Sequence, residues 1–473
     1  MLGYPARSYM IPATTYASQR IAVFGLGRTG VTAALSLAEG GATVLAWDDN
    51  ATSRDSAAGQ GVPVSDLHEA DWSTLDALLL SPGVPHHLPE PHWTADMARR
   101  SDVPVISDIE VLAREVAASG AKVVAITGTN GKSTTTTLVG HILSGAGREA
   151  HVGGNIGRGV LDLPQPTADA VYVLELSSYQ LERAPSLHAD VAMLLNLSPD
   201  HLDRHGDMAG YESAKRNIFS NQTGADTAVL GADDAVGKRI VSEMKAAGVQ
   251  RVVPVSTRSA LAGGISAKGG VLFDGMGSKV ERVCDLSEVR TLRGRHNHQN
   301  AACAYAACRA IGLSAPEIAR GLKTFPGLAH RMEWVGEAGG VQFVNDSKAT
   351  NADSARQALA AYTNIHWIAG GLPKAGGLEP LADLFGRVTK AYLVGAAGAE
   401  FARTLDTHGV AHEVSGEMDI AVMTAARDAL ESGEDTIVLL SPACASFDQF
   451  KDFEARGEAF REAVAKVLDA AKT

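Results

Sequence analysis

At roughly 150 residues per domain, a chain of 473 residues is too long for one hydrophobic core, and about three domains are expected. Hydrophobic residues make up 45% and charged residues 20%, an ordinary globular composition, and 42 basic against 54 acidic residues leave a net charge of −12. That balance excludes nonspecific binding to nucleic acid or to an anionic membrane surface, each of which demands a basic face.

The N-terminal run M-L-G-Y-P-A-R-S-Y-M-I-P lacks the basic-then-apolar pattern of a signal peptide. A first buried strand runs from Arg20 to Phe24, followed by G-L-G-R-T-G and an apolar helical pattern from Val31 to Leu37. A second strand, Thr43 to Trp47, ends in Asp48-Asp49, and a third, Ala77 to Leu80, ends in Ser81-Pro82-Gly83-Val84. The middle of the chain repeats this grammar, with strands at Lys122–Ile126, Ala170–Leu174 and Val191–Leu195. A Gly-rich stretch over 255–280 reads as a short β excursion or hairpin, and a helix of small residues follows from Asn297 to Ile311. Past Phe325-Pro326-Gly327-Leu328, a linker, strands are expected at Val341–Val344, His366–Ala369, Ala391–Val394 and Thr436–Leu440, with a closing helix over Glu454–Leu468. Strands alternating with helices predict parallel sheets and an α/β class. The expected architecture is a Rossmann-like N-terminal domain over 1–110, a central P-loop ATPase-type parallel sheet over 111–327 and a C-terminal Rossmann-like α/β domain over 328–473. No apolar stretch reaches the roughly 18–20 residues that span a bilayer. Cys284, Cys303, Cys308 and Cys444 form no C-x-x-C pair, so reduced, packed thiols in a cytoplasmic chain are expected.

The polar motifs follow the strands. G-L-G-R-T-G (Gly25, Leu26, Gly27, Arg28, Thr29, Gly30) fits a dinucleotide fingerprint with acidic residues downstream, and its glycines bring backbone N–H groups against a diphosphate at a helix start. A nicotinamide cofactor, another diphosphate ligand and plain strand–helix packing all fit it. A segment of about 110 residues is short for two mononucleotide halves, which favours a mononucleotide or sugar-nucleotide. Thr127 to Thr134, T-G-T-N-G-K-S-T, follows a strand and opens a helix, the context of a phosphate loop. Its backbone amides and Lys132 would cradle phosphates, and Ser133 would reach Mg²⁺. Ile126 stands where the general pattern has its first glycine, so the loop is a shorter variant.

Glu175 in E-L-S-S-Y-Q and the run Ser198 to His205 close the next two strands, and ligands in open parallel sheets bind beyond such ends. Taken alone, Lys215 reads as a surface lysine and Arg293–Asn300 as a helix cap. His296 and His298, two apart, face different sides of a helix and make a poor metal pair. In the last segment the strand ends carry Asn345 to Asn351, Gly370 to Lys374 and Ser441 to Lys451. There Asp346 would suit a ribose, and Lys348 and Lys374 a carboxylate or phosphate. Cys444 reads as a packed small residue, with no histidine placed to activate it.

In their order along the chain these motifs resemble the Mur ligase family: T-G-T-N-G-K-S-T, G-G-N-I-G (Gly153 to Gly157), E-L-S-S-Y-Q-L-E, D-H-L-D-R-H (Asp200 to His205), H-N-H-Q-N (His296 to Asn300) and D-S-K-A-T-N (Asp346 to Asn351). The ending L-S-P-A-C-A-S-F-D-Q-F (Leu440 to Phe450) is most similar to that of the member that adds D-glutamate. The resemblance implies an ATP-dependent ligase that phosphorylates the alanine carboxylate of a UDP-sugar-alanine and lets an amino-acid amine displace the phosphate. It implies ATP on Gly128, Thr129, Asn130, Gly131, Lys132, Ser133 and Thr134, with Asn297, Asn300, Arg331 and Asp346 on the adenosine and phosphate side. It implies Mg²⁺ in two sites, one through Ser133 and Glu175 and another through His201 and Lys215, the latter as a carbamate. The catalytic residues would be Lys132, His201 and Lys215. The UDP-substrate would meet Gly25 to Gly30, Asp49, Ser81, Pro82, Gly83, Asn155 and Ser177. D-glutamate would meet Lys348, Thr350, Lys374, Ser446, Phe447 and Phe453. Small-molecule substrates, a monomer, and no nucleic-acid or membrane partner complete the expectation. Several relatives carry a Thr-Arg pair after the second strand's aspartate. Asp49-Asn50 stands here instead, leaving an arginine contact to the uridine end missing or supplied from elsewhere.

Overall fold

Strands made of Ile, Val, Leu and Ala on both faces can be buried only between two layers of helix, and parallel sheets follow from that. The computed structural model describes residues 10–373, 376–432 and 436–471. A first sheet joins β1 (Arg20–Phe24), β2 (Thr43–Trp47), β3 (Ala77–Leu80) and β4 (Val105–Ile106) in the order β2-β1-β3-β4, all parallel. A second contains β5 (Lys122–Thr127), β6 (Ala150–Gly154), β7 (Val171–Glu175), β8 (Val191–Leu194), β9 (Thr227–Gly231), β10 (Arg251–Ser256), β11 (Ile265–Lys268), β12 (Val271–Asp274) and β13 (Glu281–Asp285). Its order is β13-β12-β11-β10-β9-β8-β5-β7-β6, parallel from β6 to β11 and antiparallel over the last two strands. The Gly-rich stretch supplies that antiparallel end. The third sheet orders β14 (Glu333–Ala338), β15 (Val341–Asn345), β16 (Ile365–Gly370), β17 (Val388–Val394), β18 (His412–Gly416) and β19 (Thr436–Leu440) as β14-β15-β19-β16-β17-β18, with β14 alone antiparallel. The α/β class with parallel-rich sheets is the one expected.

By its contacts the chain divides into two units, one ending at Phe325 and the other beginning at Pro326. The first and second sheets lie in the same unit. One buried cluster runs from Ile21, Val23 and Leu37 through Ile109 to Val123, Tyr172 and Leu174. Arg28 donates to the Gly157 carbonyl at 3.2 Å and Thr32 to Asp162 at 3.1 Å, tying the first helix, Arg28–Glu39, to the middle sheet. Helix Asp108–Ser119 runs across residue 110. In the second unit, two clusters line the faces of the third sheet, one around Trp367, Leu393 and Leu439, the other around Phe343, Tyr392 and Phe460. All four cysteines are buried. Among the described residues no helix is long and apolar enough to cross a membrane.

β9 and β10 were passed over despite their apolar runs, whereas β6, β14 and β18 escaped the sequence because they lack one. β18 lies at a sheet edge with Val414 exposed, β14 alternates between covered and open positions, and β6 mixes Ala, His, Val and Gly. The closing helix spans Phe453–Ala470, a little longer than expected at each end.

Glycines of one motif carry different loads. A Cβ on Gly30 would run into the carbonyl oxygen of Gly25, whereas nothing stands within 4 Å of one on Gly27. Gly30→Ala should therefore destabilise the first unit by roughly 1–3 kcal/mol, as overpacking does, while Gly27→Ala stays within about 0.5 kcal/mol. Thermal denaturation of both variants checks this, and equal losses would contradict it.

Candidate active site

The phosphate loop sits between β5 and helix Lys132–Gly145. Gly128 and Gly131 adopt φ of +150° and +84°, values that a side chain would strain, and they turn the backbone sharply enough to leave amides at the helix start. A Cβ on Gly131 would collide with the Asn300 side chain. Asn300 is buried and donates to Asn297 Oδ1 at 3.2 Å, so the start of helix Arg295–Ala310 abuts the loop. Lys132 Nζ donates to the carbonyls of Gly128 and Thr129, both at 3.0 Å. Asn196, just past β8, braces the loop from outside. Its carbonyl accepts from Thr129 N, its Oδ1 from Asn130 N, and its Nδ2 donates to Asn130 O. Ser133 and Thr134 are buried in the first helical turn.

Lys215, on helix Met208–Arg216, is not a surface lysine: it is 2% exposed and donates to Gly128 O at 2.9 Å and Thr127 Oγ1 at 3.3 Å. Burial, reinforced by the nearby Lys132 charge, pulls its pKa from 10.5 down to about 7. Asp200 and Glu175 act on it in the opposite direction. Glu175 ends β7 and is 2% exposed. Asn155 reaches its Oε1 at 3.4 Å, while Oε2 is buried with no hydrogen-bond partner. Ser177 caps the next helix with a reciprocal Gln180 bond. His201 adopts φ +52°, lies 3.5 Å from Asp200 Oδ2, and with Lys215 flanks the Tyr211 ring, at 6.2 Å between ring centroids and 4.7 Å from Nζ. The ends of β5, β7 and β8 thus bring together two lysines, a buried carboxylate and a histidine-bearing loop.

Beside them, the loop after β1 is held by the ends of β2 and β3. Leu26 N donates to Asp48 Oδ2 at 2.7 Å, and Ser81 Oγ to Gly25 O at 2.8 Å. Arg183, 2% exposed, donates to the carbonyls of Leu80, Ser81 and Pro82, and Arg204 reaches those of Gly83 and Val84. Asp49 pairs with His92 Nε2 at 3.1 Å and accepts from Trp93 Nε1 at 3.3 Å, while Asn50 caps helix Ala51–Gly59. An arginine stands one turn on from Asp49-Asn50. Arg54 donates to Asp48 O and Asp49 O at 2.7 and 3.0 Å and lies 4.2 Å over the Trp47 ring.

In the second unit the ends of β15, β16 and β19 converge. Asp346 accepts from Ser441 Oγ at 2.9 Å and from Met332 N at 3.2 Å, and burial pushes its pKa up to about 7 against the pull of Arg331. Lys348 Nζ stands 5.8 Å over the Phe453 ring, and Thr350 N donates to Lys348 O. Ser446 is buried, and Phe447 next to it is 71% exposed. Lys374 lies outside the described residues. Residue spacing missed Asn196, Arg183, Arg54 and, in the second unit, Arg456. Each acts on backbone atoms or on a remote loop, for which no local pattern exists.

Glu175 Oε2, a buried carboxylate oxygen without a partner, fits a hard cation. Among the described residues no three acidic, histidine or cysteine side chains gather. Mg²⁺ suits that sparse donor set, because it keeps waters and phosphate oxygens as ligands and needs only one or two carboxylates.

The chain matches the Mur ligase middle domain over residues 126–308 and the Mur ligase glutamate ligase domain over residues 330–444. It is 57% identical over 460 residues to a Caulobacter vibrioides (strain NA1000 / CB15N) protein named UDP-N-acetylmuramoylalanine–D-glutamate ligase, covering 96% of this chain and 97% of that one. A protein of the same name from Phenylobacterium zucineum (strain HLK1) is 55% identical over 464 residues, covering 97% and 99%. Among solved structures the fold is similar to that of UDP-N-acetylmuramate-alanine ligase from Thermotoga maritima, with a TM-score of 0.56 at 18% identity over 95% of this chain and 99% of that one. A pseudomurein peptide ligase type C from Methanothermus fervidus gives 0.52 at 18% identity, over 95% and 100%.

The buried lysine makes stability depend on pH with a defined sign. Below pH 7 the folded and unfolded chains both hold the Lys215 proton, and the burial penalty is full. Between pH 7 and 10.5 the unfolded chain keeps a proton that the folded one has lost, so stability rises with pH. In CO₂-depleted buffer, the stability of the native protein relative to Lys215→Met should climb from pH 7 to pH 9, by at most about 1.4 kcal/mol per pH unit. Urea unfolding at the two pH values measures it, and parallel slopes would contradict the assignment.

Proposed function

The chain belongs to the Mur ligase family, and on that premise we propose that it joins D-glutamate to UDP-N-acetylmuramoyl-L-alanine at the expense of ATP. The observation that carries this reading is the meeting of a phosphate loop, two lysines and a half-free buried carboxylate at the ends of three neighbouring strands. That is the equipment for moving a phosphoryl group, and the high identity to D-glutamate ligases supplies the acceptor and the amine.

A carboxylate does not acylate an amine in neutral water, because oxide is too poor a leaving group. Transfer of the γ-phosphoryl group of ATP to the alanine carboxylate gives an acyl phosphate. The D-glutamate amine attacks its carbonyl carbon, and phosphate leaves from the tetrahedral intermediate. Gly128 to Thr134 bind the ATP phosphates through amides and Lys132, whose ammonium exchanges the loop carbonyls for phosphate oxygens. Asn297, Asn300, Arg331 and Asp346 serve the adenosine and phosphate side. Ser133 and Glu175 would hold one Mg²⁺, and His201 and Lys215 a second, supplying positive charge toward the transferring phosphoryl group. Lys215, held near neutrality by burial, is an amine able to take up CO₂ as a carbamate. Gly25 to Gly30, Asp49, Ser81, Pro82, Gly83, Asn155 and Ser177 hold the UDP-substrate, with Arg54 in place of the missing arginine. Lys348, Thr350, Lys374, Ser446, Phe447 and Phe453 hold D-glutamate. The acyl phosphate hydrolyses readily, so water must be kept from it while it exists. The reaction is a cytoplasmic step of peptidoglycan synthesis, carried out by a monomer.

Phosphate release from ATP, measured with UDP-N-acetylmuramoyl-L-alanine and a panel of amino acids, tests the reading. Turnover is expected with D-glutamate alone; equal turnover with L-glutamate, L-lysine or meso-diaminopimelate would refute it. Lys132→Ala should keep its melting temperature and lose roughly 10²–10³-fold in kcat. Full activity in that variant would remove the loop from the mechanism.

A further inference from the structure

Arg456 stands near the start of helix Phe453–Ala470, where the helix dipole already presents positive charge and a cation is unfavourable. It is 1% exposed. Its hydrogen bonds go to neutral oxygens: Nε to Ser347 Oγ at 3.0 Å, Nη2 to Ser347 O at 2.9 Å and Cys444 O at 3.0 Å, and Nη1 to Gly370 O at 3.5 Å. Asp448 is the carboxylate whose charge reaches it, from beyond these contacts, and burial draws its pKa down to about 10. A buried cation without a carboxylate at hydrogen-bond distance opposes folding unless its donors satisfy something that needs them.

What they satisfy is three loops at once. Ser347 follows β15, Gly370 ends β16, and Cys444 follows β19. The first carries Lys348 and Thr350 and the third Ser446 and Phe447, residues assigned above to D-glutamate, and the second follows the strand that pairs with β19. The fourth segment is the arginine's own helix, whose first residue, Phe453, accepts from Ser347 Oγ at 2.8 Å through its carbonyl. Gly371 shows how closely the second loop rides on the guanidinium: at φ +130° its backbone passes so near that an added Cβ would lie 3.0 Å from Nη1. A planar fork with five N–H groups can span several acceptors in fixed directions; a lysine ammonium cannot.

We propose that Arg456 is the positioning residue of the amino-acid half-site: one buried guanidinium sets the spacing of three strand-end loops, the first and third of which hold D-glutamate, and its positive charge favours bringing a dicarboxylate to them. The proposal rests on the D-glutamate reading above. It predicts an effect confined to one substrate. In Arg456→Lys the KM for D-glutamate should rise about tenfold or more, with kcat at saturating D-glutamate and the KM values for ATP and UDP-N-acetylmuramoyl-L-alanine changed less than about threefold. Ser347→Ala, which removes one acceptor and the tie to Phe453 while leaving the charge, should move the same constant in the same direction by less. Melting temperatures are recorded for both.

An unchanged D-glutamate KM in the folded variants, or equal rises for all three substrates, would overturn the proposal. If Arg456→Lys does not fold, Ser347→Ala decides by the same criterion. Turnover of the native protein with another amino acid would refute the functional reading instead, and the positioning role would then be read from that amino acid's KM.

Discussion

A parallel strand covered on both faces can place a charged group only at its end, and the framework of the candidate site follows from that constraint. β5, β7 and β8 are buried along their lengths, so the phosphate loop, Glu175 and the Asp200–His205 run all emerge at one edge of the middle sheet. The same rule gathers Asp48, the Gly25–Gly30 loop and Ser81 in the first sheet, and Asp346, Gly370 and Ser441 in the third. The three sheets differ in the residues that their strand ends carry.

The net charge of −12 first looks at odds with substrates that are themselves polyanions. Basic side chains are nonetheless buried close to each group of loops. Lys215 sits against the phosphate loop, Arg183 beneath the carbonyls of Leu80, Ser81 and Pro82, and Arg456 beneath the loops of the third sheet. Arg183 and Arg456 spend their donors on carbonyl and hydroxyl oxygens and act as scaffolds for loops. Lys215 is different, because its ammonium is held close to neutrality and is chemically available. Net charge has no bearing on nucleotides, whose recognition is a matter of a few amides and cations at short range.

Much of the site was legible because its signals are local. T-G-T-N-G-K-S-T names its own strand, turn and helix, and the motifs at the later strand ends could be read in the same way. Lys215 was not legible from its neighbours alone. Tyr211 to Lys215 looks like any amphipathic helix, and only the packing of that helix on the phosphate loop buries the amine. Arg183 and Arg456 were hidden for a related reason, since most of their acceptors are backbone oxygens, up to 103 and 109 residues away. A guanidinium–carbonyl contact leaves no complementary side chain for a sequence pattern to reveal. Strands β14 and β18 escaped because edge positions relax the demand for apolar residues.

The central chemical claim is that the alanine carboxylate is phosphorylated before the amine attacks. UDP-N-acetylmuramoyl-L-alanine labelled with ¹⁸O in that carboxylate, turned over with ATP and D-glutamate, tests it directly by mass analysis of the released phosphate. The acyl-phosphate route requires one carboxylate oxygen to leave with each phosphate, so the label must appear there. Unlabelled phosphate alongside the amide product would contradict it.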